Sequence, residues 1–362
     1  MFSRRAFLQS LSASAIYGLS IPALYPSAAG AADSPRSSAR RSGKAPAITQ
    51  PVLFNTPEAD AVVAALQVYP PENAWNQPVD RWPVHTNSRN IIASIGLGKP
   101  LRCNYDMAYV LVPPGQKKIA VKITDYPQES DAGPYPVPEN VPIEGWPTCY
   151  RENSRMIGQS LDDIQRDKIG AGGDRHAIIV DPATRTLYEF WQMKKTAQGW
   201  QAAQASIFDL KTNRLRPDGW TSADAAGLPI FPAVVRYDEI KRGLIQHALR
   251  VTVRRTRKAY VAPATHFASR DNSEKLPRMG ERIRLKSNYD ISRFSPAAQV
   301  VLKGLKQYGM LVADNGLDWS ISIAPDARIP VLHEELRRVS GAAFEVVFQP
   351  NTSRGTFERG RR

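Results

Sequence analysis

Glu189, His176 and Trp191 are the residues whose types and spacing suggest chemistry. The stretch Gly172–Asp181 (GGDRHAIIVD) reads as a buried strand from Ala177 to Val180, opened by an acid, a guanidinium and an imidazole behind two glycines. Asp181–Thr186 (DPATRT) reads as a turn into a second strand. If its loop is residues 182–185, Asp181 pairs with Thr186 and His176 falls opposite Trp191. Side chains alternate along a strand, so one face then carries His176, Ile178, Val180, Leu187, Glu189, Trp191 and Met193. His176 and Glu189 become diagonal neighbours, with Cβ atoms roughly 7 Å apart. A carboxylate, an imidazole and an indole on one face suit a sugar site. The indole offers an apolar plate to a pyranose ring, and the two titratable groups can move protons.

In this reading Glu189 is the acid or base, His176 orients it or shares the proton work, and Asp174 holds His176 in one tautomer. Trp191 and Trp220 stack on sugar rings, and Asp218, His247 and His266 are further substrate-binding candidates. The competing structural reading makes the face a core, with Glu189 ion-paired to Arg250 and His176 a hydrogen-bonded turn residue. A one-residue slip of register removes the constellation. His247 shares a face with Leu249 and Val251, where a core role competes with a ligand role. Arg254, Arg255, Arg257 and Lys258 form a basic tip, read as a solvated turn or an anion site. Asp314-Asn315-Gly316, with Asp318 close behind, reads first as a turn and second as a calcium site outside the EF-hand pattern. No other metal set is singled out, and the residues name no cofactor.

The elements that must position these residues are mainly strands. Thr56-Pro57-Glu58 starts a helix running to Leu66, with Thr as cap and Pro at the first turn. Residues 107–112 and 118–123 alternate as strands flanking Pro113-Pro114-Gly115, and residues 125–148 are a long Pro-rich loop. A polar helix is expected near 155–168. Strands are expected at 186–193, 200–208, 245–253, 259–263 and 281–286. A helix opens at Ser295-Pro296 and stops at Gly309. Residues 310–313 and 319–323 read as a strand pair around Asp314-Asn315-Gly316. A short helix at 331–338 and a strand at 343–348 finish the body. The loop from Arg216 to Pro232 is polar, Trp-bearing and stiffened by prolines; it suits either the rim of a groove or a plug between two sheets. With no regular βαβ alternation, the expectation is a mainly β fold, a β-sandwich or jelly-roll-like body with a few peripheral helices.

Ser3-Arg4-Arg5-Ala6-Phe7-Leu8 resembles the twin-arginine export signal. The apolar stretch behind it, Leu11 to Leu24, is shorter than the roughly 18–20 apolar residues of a membrane span. The resemblance implies export through the twin-arginine translocase and a periplasmic or extracellular location. The expected organisation is a signal peptide at 1–31, a disordered basic linker at 32–50, one large β-rich domain at 51–349 and a disordered basic tail at 350–362. In that setting Cys103 and Cys149 are disulfide candidates. The formal charge is +14; residues 1–31, 32–50 and 350–362 carry +2, +3 and +3, and the body keeps +6. Basicity concentrated at the ends argues against nucleic acid as a partner and for acidic glycans or anionic envelope surfaces.

Five segments together resemble a widespread group of secreted bacterial proteins: Glu129–Pro136 (ESDAGPYP), Gly173–His176 (GDRH), Arg216–Ile230 (RPDGWTSADAAGLPI), His247–Arg250 (HALR) and Tyr308–Gly316 (YGMLVADNG). The resemblance covers most of residues 70–325 and brings no secure activity with it. The closely spaced acidic strand motif of laminarinase-like glycosidases is missing, as are the arginine–glutamate and Gln-Ile-His motifs of alginate-lyase-like sandwiches. The leading expectation is an exported protein acting on a polysaccharide by hydrolysis or β-elimination. The alternative is a non-catalytic glycan-binding or cell-envelope structural protein.

Overall fold

The computed structural model describes residues 45–147 and 157–349. The signal-like N-terminus, the expected linker up to residue 44, Cys149 and the expected tail lie outside the described residues. Cys103, the other half of the expected disulfide, is buried. Ile48 falls inside the expected linker, yet it is buried in the main core, so the folded body begins before residue 51.

The strands, in chain order, are β1 (Val52–Leu53), β2 (Arg102–Tyr105), β3 (Val110–Leu111), β4 (Val121–Ile123), β5 (Ala177–Asp181), β6 (Thr186–Trp191), β7 (Lys194–Thr196), β8 (Gly199–Ala202), β9 (Gln204–Asp209), β10 (Leu249–Val253), β11 (Arg282–Leu285), β12 (Met310–Asn315), β13 (Ser320–Ile323) and β14 (Phe344–Val346). Six helices accompany them among the described residues: α1 (Pro57–Ala65), α2 (Ser88–Ile95), α3 (Leu161–Arg166), α4 (Tyr237–Arg242), α5 (Pro296–Gln307) and α6 (His333–Leu336). The fold is therefore mostly sheet. The strands form a five-stranded sheet, β1-β3-β5-β6-β9, a six-stranded sheet, β14-β11-β12-β10-β13-β2, and a three-stranded sheet, β4-β8-β7. Each sheet contains a parallel pair, β3 with β5, β10 with β12 and β4 with β8. None is thus the all-antiparallel sheet that a jelly roll entails.

Local chemistry explains the parts the sequence reveals. Thr56 caps α1 by accepting from the Ala59 amide at 3.1 Å, with Pro57 and two acids in the first turn. Ser295 caps α5 in the same way, and α5 ends where Gly309 takes φ +65°. A Cβ at Gly309 would sit 2.4 Å from the Ile283 carbonyl oxygen, so only glycine fits that stop. The β5–β6 hairpin has the expected register, Asp181 opposite Thr186 and Ile178 opposite Glu189. The Asp181 carboxylate accepts the amides of Ala183 and Thr184 at 2.9 and 3.0 Å, which closes the four-residue turn.

Two expected hairpins are not hairpins. β3 pairs with β1 and β5, whereas β4 pairs with β8 in another sheet. β12 and β13 do not pair with each other; β10 lies between them, parallel to β12 and antiparallel to β13. The expected strand at 200–208 is split at Ala203 between two sheets, and the expected strand at 259–263 contributes only a bridge at Tyr260.

The five-stranded sheet is buried on both faces. Ala177, Ile179, Tyr188 and Phe190 join a smaller core with Val121, Tyr135, Val141 and Ala202. Ile178, Val180, Leu187 and Trp191 face a larger core shared with Leu249, Val251, Ile321 and the α5 residues Val301 and Leu305. Burial on both faces is why β5 and β6 read as nearly continuous apolar runs. A charged residue at 189 on such a strand must therefore be compensated from inside the core.

Candidate functional site

The residues that compensate Glu189 come from one loop. Every residue from Thr221 to Arg236 is buried, so the loop is a plug and not the rim of a groove. A buried loop must find partners for its peptide groups. The Ile230 and Phe231 amides donate to the Glu189 carboxylate at 2.8–2.9 Å. The Thr221 amide donates to Glu129 Oε2 at 2.8 Å, and the Ala225 amide to Asp314 Oδ2 at 3.1 Å. Ser222 Oγ lies 2.8 and 2.6 Å from the carbonyl oxygens of Asp224 and Leu228, and its one hydroxyl hydrogen serves one of them at a time. Three carboxylates from three different elements thus serve as acceptors for amides that no strand partner reaches.

The plug also carries its own acid. Asp224 is fully buried and grips Arg250 of β10 through two bonds, Nε at 2.8 Å and Nη2 closer still. Arg250 Nη1 donates to Ser322 Oγ at 2.6 Å. Asp224, not Glu189, is therefore the partner of Arg250. Burial alone would lower the guanidinium pKa, but the Asp224 charge outweighs it and holds it above its ordinary value. For Glu189, burial pushes the carboxyl up, to about 7. The amides of Phe231 and Ile230 pull it down, the Asp224 charge adds to the rise, and the His176 charge opposes it.

His176 lies at the edge of this network. Its Nδ1 is 2.8 Å from Glu144 Oε2 and its Nε2 is 3.1 Å from the Ala223 carbonyl oxygen. Both ring nitrogens face acceptors, so both must carry protons, and the ring is an imidazolium. Burial pulls its pKa down, but the Glu144 charge and hydrogen bond, with Asp174 and Asp224 behind them, outweigh burial and push it up to about 10. The expected role of Asp174 is thus corrected: the carboxylate on His176 Nδ1 is Glu144. Asp174 accepts the Trp191 indole N–H at 3.0 Å instead.

The candidates separate into two groups. Glu189, His176 and Trp191 do share one neighbourhood, as the register requires, but as interior residues. Glu189 is fully buried, and Trp191 is 5% exposed with Tyr126 against it at 5.9 Å between ring centroids. Neither the Glu189 carboxylate nor the Trp191 ring presents a free face to a polymer. His247 is buried in a separate network, with Nε2 2.8 Å from Glu239 and Nδ1 2.8 Å from the Ala248 carbonyl oxygen. Arg236 and Arg242 also reach Glu239 there. His247 is a core histidine bound to Glu239 on α4, and its expected sugar contact is corrected.

Asp174, Asp218, Trp220 and His266 stay at the surface. Asp174 is exposed between Gly173 at φ +89° and Arg175 at φ +48°. Arg175 holds that unusual backbone with a buried guanidinium that donates to the carbonyls of Met193, Ile164 and Gln165. Asp218 is exposed and accepts the Tyr260 hydroxyl. Trp220 is half-buried with the Arg216 guanidinium 5.5 Å from its ring centroid. His266 Nδ1 lies 2.7 Å from the Ala225 carbonyl oxygen. Its ring is near-parallel to Phe267, centroids 5.8 Å apart, and Phe267 is near-parallel to Tyr260 at 6.3 Å. Asp218, Tyr260, Phe267 and His266 thus form a ladder of three half-buried rings ending on a carboxylate. The Thr265 Oγ1–Trp220 carbonyl bond at 2.8 Å ties it to the plug.

Sequence reasoning missed Glu144, Tyr260 and Phe267. Glu144 sits in a Pro-rich loop with no motif to signal it. Tyr260 and Phe267 lie in irregular backbone, where no periodicity shows which way a ring points. At the calcium candidate, Asp314 accepts the Ala225 and Asn315 amides, and Asp318 accepts Lys99 and the Arg254 amide. Among the described residues no group of three His, Cys, Asp or Glu side chains could hold a metal ion. Nor is any helix there long and apolar enough to cross a membrane. A surface concavity of about 330 Å³ lies at the β5–β6 turn, lined by Lys118, Asp181, Thr184 and Tyr188 among others, and not beside Glu189. No family model, no curated protein and no solved structure matches the chain.

Proposed function

We propose that this protein is an exported glycan-binding protein that holds a polysaccharide across an open face beside the plug. The observation that carries the reading is the ring ladder Tyr260–Phe267–His266 with Asp218 at its end. Half-buried aromatic rings can offer apolar surface to the C–H faces of pyranose rings, and a carboxylate accepts hydroxyl groups in the ring plane. A row of half-buried rings outside any enclosing cavity among the described residues suits a polymer better than a small molecule, which needs an enclosing pocket. The larger core, shared by the five- and six-stranded sheets, supports a sandwich-like scaffold behind that face.

The test is retention of the full chain on a panel of insoluble polysaccharides. The wild type is retained, and Phe267→Ala loses at least about tenfold in affinity, the scale of a hot-spot aromatic. Equal retention of the two proteins on every glycan would remove the reading.

A catalytic second reading rests on Asp174, the exposed carboxylate that a strained loop presents beside Trp191 and two residues from the imidazolium. Glycosidic-bond chemistry in this fold would use Asp174 as its reacting carboxylate and would leave Glu189 as a scaffold. Release of new reducing ends or unsaturated products by the wild type, lost in Asp174→Asn with binding kept, would support it. A wild type that binds without releasing product leaves the binding reading alone.

A further inference from the structure

We propose that the basic tip Arg254–Lys258 is a subsite for the anionic groups of that polysaccharide, its carboxylates or sulfates; this rests on the glycan-binding reading above. The tip leaves the end of β10 and leads, two residues after Lys258, into Tyr260, the first ring of the ladder. Tip and ladder are thus consecutive in the chain, and in this proposal one polymer spans both.

The tip is held as a rigid mount. The Arg254 amide donates to Asp318 Oδ1 at 2.7 Å, Thr256 Oγ1 to Asn315 Oδ1 at 2.9 Å, the Arg257 amide to the Pro277 carbonyl at 2.7 Å and the Lys258 amide to the Asp271 carbonyl at 2.6 Å. A solvated turn needs no such anchoring. Two of the side chains it mounts face water, Arg254 at 70% and Arg255 at 66% exposure, while Arg257 is at 26%. Their acids are unequal partners. Asp318 is only 7% exposed and is shared with Lys99, whose Nζ lies 2.6 Å away, while Arg254 Nε is 4.0 Å away. Asp271 holds Arg255 at 2.8 Å and Glu274 holds Arg257 at 3.2 Å. Five cations, Lys99 included, thus stand against three carboxylates, and the most buried charge of the set is negative. What a polymer meets at the surface is a positive field from exposed guanidinium forks on an anchored backbone, which match carboxylate and sulfate oxygens in pairs.

The experiment compares the full-length wild type, the double variant Arg254→Gln/Arg255→Gln and Phe267→Ala on three polymers: a polyuronate, a sulfated glycan and an uncharged glucan. Unchanged thermal unfolding of the double variant shows that the fold survives, as expected for exposed side chains. The wild type prefers at least one polyanion over the glucan, and the preference shrinks as salt rises. The double variant loses roughly tenfold on that polyanion and keeps its affinity for the glucan; Phe267→Ala weakens all three. Which polyanion is preferred tells carboxylate from sulfate. A double variant that holds polyanions as the wild type does, or a wild type without anionic preference, overturns the subsite. A wild type that binds none of the three overturns the glycan reading itself, a different outcome.

Discussion

Glu189 shows how one residue can look catalytic in a sequence and be structural in the fold. Its carboxylate accepts two amides of the plug, and burial holds its pKa near 7. The folded state therefore keeps a proton that the unfolded chain gives up near pH 4.5. Stability from this residue is present below about pH 4.5 and is lost as pH rises through about 7, by on the order of 3 kcal/mol. Urea unfolding of wild type and Glu189→Gln should show the wild type losing stability relative to the variant between pH 5 and 8; a pH-independent difference contradicts this. His176 has the same sign in a higher window. With its pKa pushed up from 6.5 to about 10, its contribution is full below pH 6.5 and is lost as pH rises through 10. Glu144→Gln should cost about 2 kcal/mol at pH 7, less than a fully buried pair because Glu144 is one-fifth exposed, and should flatten the alkaline slope. Thermal unfolding at pH 7 and 9.5 measures both effects.

The plug is the element on which these residues depend. Gly227 sits in it at φ +74°, where a Cβ would lie 2.0 Å from Thr265 Oγ1 and 2.6 Å from the Trp220 carbonyl oxygen. Gly227→Ala should destabilise by about 2–4 kcal/mol, from strain and a clash with backbone, and should loosen the ladder tied to Trp220 through Thr265. A shift in the urea midpoint with reduced glycan affinity is the expected pair of readings; a neutral variant would show that the plug is not tightly seated. Elements also mark how far the sequence could be read. Local chemistry fixes the caps of α1 and α5 and the register of β5 and β6, because Thr56, Ser295 and Asp181 act within a few residues. Which strands pair across long connections is not local. β12 and β13 look like a hairpin around Asp314-Asn315-Gly316, yet β10 separates them, and nothing near residue 314 announces that. The plug was legible only as one of two options, since small and apolar residues stiffened by proline suit a rim and a plug equally. The acids 129, 189 and 314 settle it through their bonds to its amides, and those bonds have no spacing rule.

At the scale of the whole molecule, polar residues divide between a buried scaffold and an open face. The scaffold, Glu189, Asp224, Arg250, His176 and Glu144, holds the plug between sheet elements. Asp174, Asp218, Trp220, His266, the rings of Tyr260 and Phe267 and the basic tip at 254–258 are the groups that the proposed glycan reading uses, and most of them lie where the chain is least periodic. The most direct test is the retention of wild type and Phe267→Ala on insoluble polysaccharides at equal fold stability. Retention of the wild type with at least about a tenfold loss in the variant is the predicted result. A wild type that passes through every glycan, or a variant held as firmly as the wild type, would contradict the account.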